Sequence, residues 1–573
     1  MKAVVSESWP PTRSSIVRVN GDLRMKILGL HGGVSQLQNE ASATLLINGS
    51  VIAACEEERF SRLKGAFGLI PIRSISACLS IGQISIEDVD YIVHTGATHV
   101  DLESRIQNYI LHYYGYCPQI KIIEHQLAHI ASAYYQSGLD SATCISYDGY
   151  GDNVSVAIAE AIGSGINIFH REDIDNSLGR FYTAITSFLG FSAQESEYKV
   201  MGLAPYGKKL LDFSGLIDVQ DEIRYRVDPS YFAGYGKSAE GRSANITSRQ
   251  EPWYSSKLIE LLGPPRRSST INQNYIDIAY TAQNAFENAA KCIVKQAIKA
   301  TGIHNVVLSG GCALNCKANM EIEALDDVHT LFVQPAASDR GLSLGAALAL
   351  FNQLSDGSNY KPLVISDVFW GPQYSDEEIE KLLISCGIRY SRVENISQSA
   401  ANDLHNGKIV AWFQGRSEFG PRALGHRSIL ADPTRSDAKS LLNSKVKYRE
   451  EFRPFAPAVC EESASEYFCM DQPSPFMTKA VKVREAMKEI LKATTHVDGT
   501  ARVQTVNKKT DPAFHALIKC LGELNGTEVV LNTSFNVMGE PIVETPRNAL
   551  ATFYSSGIDS LYIGNYKVEK DHG

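Results

Sequence analysis

The sequence predicts an α/β protein of two domains, and three observations carry that reading. The chain has 573 residues, more than one hydrophobic core normally organises. A layout of strand, polar loop and hairpin occurs twice in the first half. A stretch containing Ser, Asn, Asp and Pro, between about Phe351 and Gly371, then separates that half from a new run of elements starting at Ser375. The expected domains are residues 25–355 and 372–573.

Taken in order, residues 1–24 include Pro10, Pro11 and several Ser and lack the apolar centre of a secretory signal, so a disordered extension is expected. From Lys26, KILGL reads as a buried strand, and ATLLINGSVIAACEE as a hairpin about Asn48-Gly49, a pair suited to a type I′ turn. TCISYDG around Asp148, followed by VSVAIAEAIGSGINIFHRE with its turn near Gly163 and Gly165, repeats the layout. Such duplication predicts a bilobal domain with a ligand cleft between its halves. Ile278, Ala282, Ala285, Phe286, Ala289 and Ile293 recur at helical spacing between Ile276 and Lys299, and Gly302 ends the run. VVLSGGCALN then reads as strand, glycine turn and helix start, where Gly310 and Gly311 would let backbone N–H groups approach phosphate or ribose. Gly236-Lys237-Ser238 is not a phosphate loop, because that motif needs glycine where Tyr231 stands.

Composition narrows the function. Apolar residues make up 44% and charged residues 21%, as in soluble proteins, and no window is apolar enough to span a bilayer. A formal net charge of −9 gives no electrostatic footprint for nucleic acid, which leaves small molecules as the expected partners. The eleven cysteines contain no Cys-x-x-Cys pair, the pattern of reduced thiols in a cytoplasmic protein.

Two groups of residues carry chemistry. The segment EHQLAHIASAYYQS sets His125 and His129 four residues apart, on one face of a helix. Asp148 of SYDGYGD and Asp339 of PAASDRG are loop carboxylates that could complete a transition-metal site. A mixed His and carboxylate set suits iron(II) or zinc, and the sequence leaves that choice open. No Glu follows the first His, so the metalloprotease motif is absent. In the second domain Arg416, Arg422, Arg427, Lys445, Lys447, Arg449, Arg453 and Arg502 lie among Gly, Pro and aromatic residues, unlike a solvated helix face. With Asn532, Thr533 and Ser534 after an apolar strand, they predict a pocket for an anionic substrate.

At these residues the sequence resembles the O-carbamoyltransferase family, which includes nodulation protein U and the antibiotic-tailoring carbamoyltransferases of tobramycin and cephamycin pathways. The resemblance runs from Met25 to Lys570 through EEERFSR, HQLAH, SYDGYGD, SLGRFY, KVMGLAPYG, SGGCALN, PAASDRGLSLGAA, GRSEFGPRALGHRS, KYREEFRPFAP, RVQT and LNTSFN. It implies an N-terminal bilobal domain similar to the actin-like ATPase fold, in the branch of the tRNA threonylcarbamoyl-transfer enzyme. It also implies a C-terminal α/β nucleotide-activating domain. Carbamoyl phosphate and ATP, with Mg, would give carbamoyl adenylate and pyrophosphate in the second domain. The activated group would then reach the first domain, shielded from water, for attack by a hydroxyl of a small-molecule acceptor.

Carried over residue by residue, the resemblance implies iron(II), or zinc or another divalent metal, on His125, His129, Asp148 and Asp339. It implies a carbamoyl-phosphate cradle of Arg422, Lys447, Arg453, Arg502, Asn532 and Ser534. Lys199, Gly310, Gly311 and Asn315 fit the nucleotide site, and the catalytic set is Lys447 and Arg502 with His31 and Asn39. One departure falls at this last group: where the family has His-Asp before Ala-Ser, this chain has Asn39-Glu40 before Ala41-Ser42. Asparagine is no general base at neutral pH, so the expected substitute is either His31 or assistance to the hydroxyl from the metal and phosphate oxygens. Gln126 replaces the second His of the family's metal motif, a position outside the ligand set. The competing readings are a tRNA threonylcarbamoyl-type enzyme, which the acidic charge opposes, and a catalytically impaired binding homologue, which Asn39 alone motivates. The segment 211–274 matches none of these motifs and is expected to shape acceptor specificity. The acceptor, and whether the chain forms a homodimer, lie beyond the sequence.

Overall fold

The computed structural model describes residues 18–19, 22–23, 25–33, 38–209, 211–220, 224–233, 252–355 and 362–570. Most of the expected N-terminal extension and the Gly236-Lys237-Ser238 stretch lie outside the described residues; within the extension, Arg18–Val19 and Asp22–Leu23 pair antiparallel.

The duplication read from the sequence is realised as two five-stranded sheets of the same topology. In the first lobe the order is Ser50–Glu56, Ser42–Ile47, Lys26–His31, Tyr91–Thr95, Gln119–Ile123. In the second it is Gly165–Asp173, Val154–Ile162, Ser141–Gly151, Asn305–Ser309, Thr330–Val333. In both, the central strand pairs antiparallel with the hairpin and parallel with the fourth strand of that order. Asn48 and Gly49 both take positive φ, 52° and 80°, as a type I′ turn requires. The interior of Lys26–His31, ILGL, is apolar because both faces are covered: Ile27 packs toward the other lobe, while Leu28 and Leu30 pack on the outer helices.

Each lobe's fifth strand leads into a helix that packs on the opposite lobe. His125–Tyr134 lies against Ser141–Gly151 and Asn305–Ser309, and Leu342–Leu354 lies against Lys26–His31. Glycine permits this exchange: a Cβ on Gly29 would sit 1.9 Å from Ser343 O, and one on Gly345 would sit 1.8 Å from Ala128 O. The helix expected from Ile276 runs over Gln273–Thr301, starting at the Asn272 cap and ending at Gly302 with φ 71°. Its apolar face buries Ile278, Ala282, Phe286, Ala289 and Ile293, and Tyr225, Tyr231 and Leu258 of the 211–274 segment join the same core.

The second domain begins at Asp376–Ser385, whose Ser375 and Glu378 form a capping box. It is built on an eight-stranded sheet in the order Ser391–Arg392, Tyr566–Glu569, Ser560–Ile563, Val410–Phe413, Arg427–Ala431, Val529–Ser534, Ala456–Cys460, Gln504–Val506. Helices cover both faces, with Leu404, Trp412, Phe514 and Leu521 in one layer and Leu383, Phe413, Leu531 and Phe553 in the other. The domains are joined by buried polar contacts. Arg59 Nη2 donates to Gly420 O at 2.6 Å, Gly420 N donates to Glu56 Oε1 at 2.7 Å, and Arg62 donates to Pro541 O and Ile542 O. All eleven cysteines are free. No helix among the described residues is long and apolar enough to cross a membrane.

Candidate functional site

The duplicated topology brings one chemical group from equivalent places in both lobes to a single point. His125 and His129 stand on the helix after the first lobe's fifth strand, and Asp339 stands at the turn before the equivalent helix of the second lobe. Asp148 lies in the second lobe's central strand, and His31 ends the first lobe's central strand.

His125 Nε2 is 3.3 Å from Asp148 Oδ2 and 3.5 Å from Asp339 Oδ1; His129 Nε2 is 3.4 Å and 3.5 Å from the same two oxygens. Ligand atoms of the four residues all lie within 4.8 Å of one another. Donors so spaced can share one ion at bond lengths of about 2.1 Å. His129 is fully buried and neither ring nitrogen has a well-formed hydrogen bond, a deficit that an ion would remove. Burial opposes charge on His129, yet the two carboxylates outweigh it and raise the imidazole to about 9. For Asp148, burial and the Asp339 charge push upward, and the two imidazoles overcome both and hold the carboxyl at about 2. The donor set therefore fits a divalent metal.

The surroundings fix these donors. Gly311 N donates to Asp148 Oδ1 at 3.1 Å, so the glycine turn after Asn305–Ser309 orients one of the four donors. Gly310 takes φ 87°, and a Cβ there would sit 2.3 Å from Tyr147 O. Asp152 accepts from His125 N at 2.9 Å and from Thr98 N at 3.1 Å, anchoring the start of the histidine helix. Gln126 ties Val154 O to Ser146 Oγ instead of facing the ligands.

His31 joins the same group. Its Nδ1 contacts Thr95 Oγ1 at 2.9 Å, which leaves Nε2 3.6 Å from Asp339 Oδ2. Asn39 is half-buried in the adjoining loop, and its neighbour Glu40 pairs with Arg340, the residue after Asp339. His94 stacks on His31 at 6.1 Å and lines a cavity of about 510 Å³, together with Gly32, Gly33, Arg105 and Tyr109. No described residue of 211–274 lines that cavity.

The second-domain cations sort into two sets. Arg416 donates to Gly371 O and Ile52 O, Arg427 donates to Gln414 O and stacks 3.7 Å from the Phe413 ring centre, and Lys445 pairs with Asp559 at 4.0 Å. These three support the fold. Arg422, Lys447, Arg449, Arg453 and Arg502 instead repel one another. Burial, then Arg502, push Arg422 down to about 9, while burial, then Arg453 and Arg502, do the same to Arg449. Burial, reinforced by Arg449 and Arg453, holds the Lys447 ammonium well below its ordinary value. Neither Arg422 nor Arg502 has a side-chain hydrogen bond or ion pair among the described residues, and Arg502 Nε is a buried donor without an acceptor. Guanidinium groups stay protonated in proteins, so this pressure is a standing repulsion that a bound anion would relieve.

Asn532 and Ser534 stand behind these cations. Asn532 Nδ2 donates to Gln504 Oε1 at 2.8 Å, leaving its Oδ1 without a donor. Lys447 Nζ donates to Ser534 O at 2.5 Å and to Asn536 O and Oδ1 at 2.9 Å each. Arg449, one of the cations expected to line an anion pocket, stands in this group, and Asn536, the last residue of LNTSFN, joins it as a residue the sequence did not single out. Lys199 reaches across from the first domain to Glu450 Oε1 at 2.7 Å, and Asn315 caps Cys316–Glu323 while exchanging hydrogen bonds with Gln283.

Comparison with known proteins accords with this arrangement. The family model described as Carbamoyltransferase N-terminus matches residues 114–348, and that described as Carbamoyltransferase C-terminus matches residues 401–570. Nodulation protein NolNO of Sinorhizobium fredii is 34% identical, over 95% of this chain and 83% of that one. An uncharacterized protein of Synechocystis is 33% identical over 94% and 96%. The 3'-hydroxymethylcephem-O-carbamoyltransferase of Amycolatopsis lactamdurans is 33% identical over 46% and 49%.

Proposed function

The chain belongs to the carbamoyltransferase family, and from that premise we propose that it is an ATP-dependent O-carbamoyltransferase working through carbamoyl adenylate. The observation that carries this reading is the group of second-domain cations held together without matching counter-charge. Such a group suits substrates rich in phosphate, here carbamoyl phosphate and ATP with Mg.

In the second domain, water takes the phosphoryl group of carbamoyl phosphate as inorganic phosphate. The freed carbamate oxygen attacks the α-phosphorus of ATP, and pyrophosphate leaves. Arg422, Arg453 and Arg502 neutralise the phosphate oxygens, and Lys447, held on Ser534 and Asn536, presents an ammonium to the charge that develops. Gly310, Gly311 and Asn315 would meet the nucleotide on the first-domain side, while the Lys199 ammonium is engaged by Glu450. Carbamoyl transfer follows there: an acceptor hydroxyl attacks the carbamoyl carbon, AMP leaves, and His31 Nε2 takes the hydroxyl proton. His31 thus supplies an imidazole that Asn39 cannot. His125, His129, Asp148 and Asp339 would hold the divalent metal, iron(II) or zinc, which when bound polarises the activated carbonyl. The cavity beside His94 is the proposed seat of a small hydroxyl-bearing acceptor.

Separated half-reactions test the division of labour. Lys447→Ala is expected to abolish pyrophosphate release, while His129→Ala keeps release and loses transfer to a panel of hydroxyl acceptors. Equal loss of both steps in a folded His129→Ala protein would contradict it.

A further inference from the structure

Tyr198 and Lys199 are consecutive residues of the first-domain helix Glu197–Leu203, and each grips the second domain. Lys199 Nζ donates to Glu450 Oε1 at 2.7 Å, and the Arg453 guanidinium carbon lies 4.5 Å from the centre of the Tyr198 ring. Between these two contacts, Glu450 Oε2 is 3.6 Å from Arg453 Nη1. That is the one ion pair that Arg422, Lys447, Arg449, Arg453 or Arg502 makes among the described residues. The Phe191 ring lies 5.3 Å from Lys199 Nζ and packs 6.4 Å from Phe452, so the ammonium is set in a formed junction between the domains.

This geometry places a carboxylate at the edge of a site whose chemistry depends on unneutralised cations. Turning the Glu450 side chain would bring both its oxygens onto Arg453 as a bidentate pair, an internal anion occupying the position a phosphate would take. The Lys199 ammonium holds the carboxylate the other way. We propose that Lys199 is a positioning residue for the anion site of the other domain: by retaining Glu450 it keeps Arg453 available to a phosphate-bearing substrate. The inference rests on the anion-site reading above, and gives Lys199 a role distinct from the nucleotide contact implied by resemblance.

Inorganic phosphate is the probe, titrated calorimetrically into the full chain as wild type, Lys199→Met, Glu450→Gln and the double variant. Lys199→Met is expected to weaken phosphate binding roughly tenfold, the effect of about 1.4 kcal/mol. Glu450→Gln alone is expected to stay within about twofold of wild type, and the double variant to return to within about twofold, a strongly non-additive cycle. Lys199→Gln serves the same cycle should the methionine variant fail to fold. If Glu450→Gln tightens binding equally with and without Lys199, the two residues act only through their net field and the proposal is overturned. A double variant as weak as Lys199→Met overturns it too. A wild-type protein that binds no phosphate would remove the anion-site reading itself, whereas phosphate binding with an additive cycle removes only the role of Lys199.

Discussion

A half-buried guanidinium without a partner destabilises the fold that holds it, and Arg422 and Arg502 are two such groups side by side. The proposed phosphate-bearing substrate would pair with them. Arg502→Met is therefore expected to stabilise the ligand-free protein by about 1 kcal/mol, because methionine fills similar space without the unpaired charge. The same change is expected to erase most of the rise in melting temperature that phosphate gives the wild type. Thermal unfolding with and without phosphate checks both, and a lower melting temperature for the variant without phosphate would mean that the guanidinium supports the fold. Residue chemistry was legible where a motif fixed the residue type: His125, His129, Asp148 and Asp339 meet, although Asp148, expected on a loop, lies in the strand Ser141–Gly151, whose pairing with the next strand is interrupted between Tyr147 and Gly151. The direction of a side chain was not. Arg416, Arg422 and Arg427 share one motif, yet only Arg422 faces the cation group, since tertiary carbonyls capture the other two.

Among the elements, the two exchanged helices decide whether the metal ligands meet. His125–Tyr134 and Leu342–Leu354 cross where Gly345 has no side chain, and a Cβ there would overlap the Ala128 carbonyl oxygen at 1.8 Å. Neither backbone can yield easily, because both helices are buried between the sheets. Gly345→Ala is expected to destabilise the protein by about 2 kcal/mol, the usual scale of overpacking, and to lower bound divalent metal after loading. Denaturant midpoint and metal content measure the two effects, and an unchanged metal content in a destabilised variant would separate the helix contact from the site. Both hairpins and the long Gln273–Thr301 helix were readable from turn residues and apolar spacing. The exchange was not, because the period of a helix says which face is apolar and nothing about which lobe covers it.

Over the whole molecule, two chemistries sit on either side of one domain junction. The four His and Asp side chains proposed to hold a metal belong to the first domain and the cations proposed to hold phosphate to the second, and Arg340, next to Asp339, already adds to the repulsion felt by Arg422. Contacts such as Arg59 to Gly420 and Lys199 to Glu450 hold the domains in register across that junction, as the proposed two-step reaction through an anhydride would require. The polar contacts between the two sheet systems, such as Arg59 to Gly420, come from residues hundreds of positions apart and leave no local signal in the sequence. Pyrophosphate release from ATP by metal-loaded protein, with and without carbamoyl phosphate and with no acceptor present, bears on this arrangement as a whole. Release that requires carbamoyl phosphate is the expected result. Pyrophosphate release that is indifferent to carbamoyl phosphate, or no release at all, would contradict an adenylate-forming second domain.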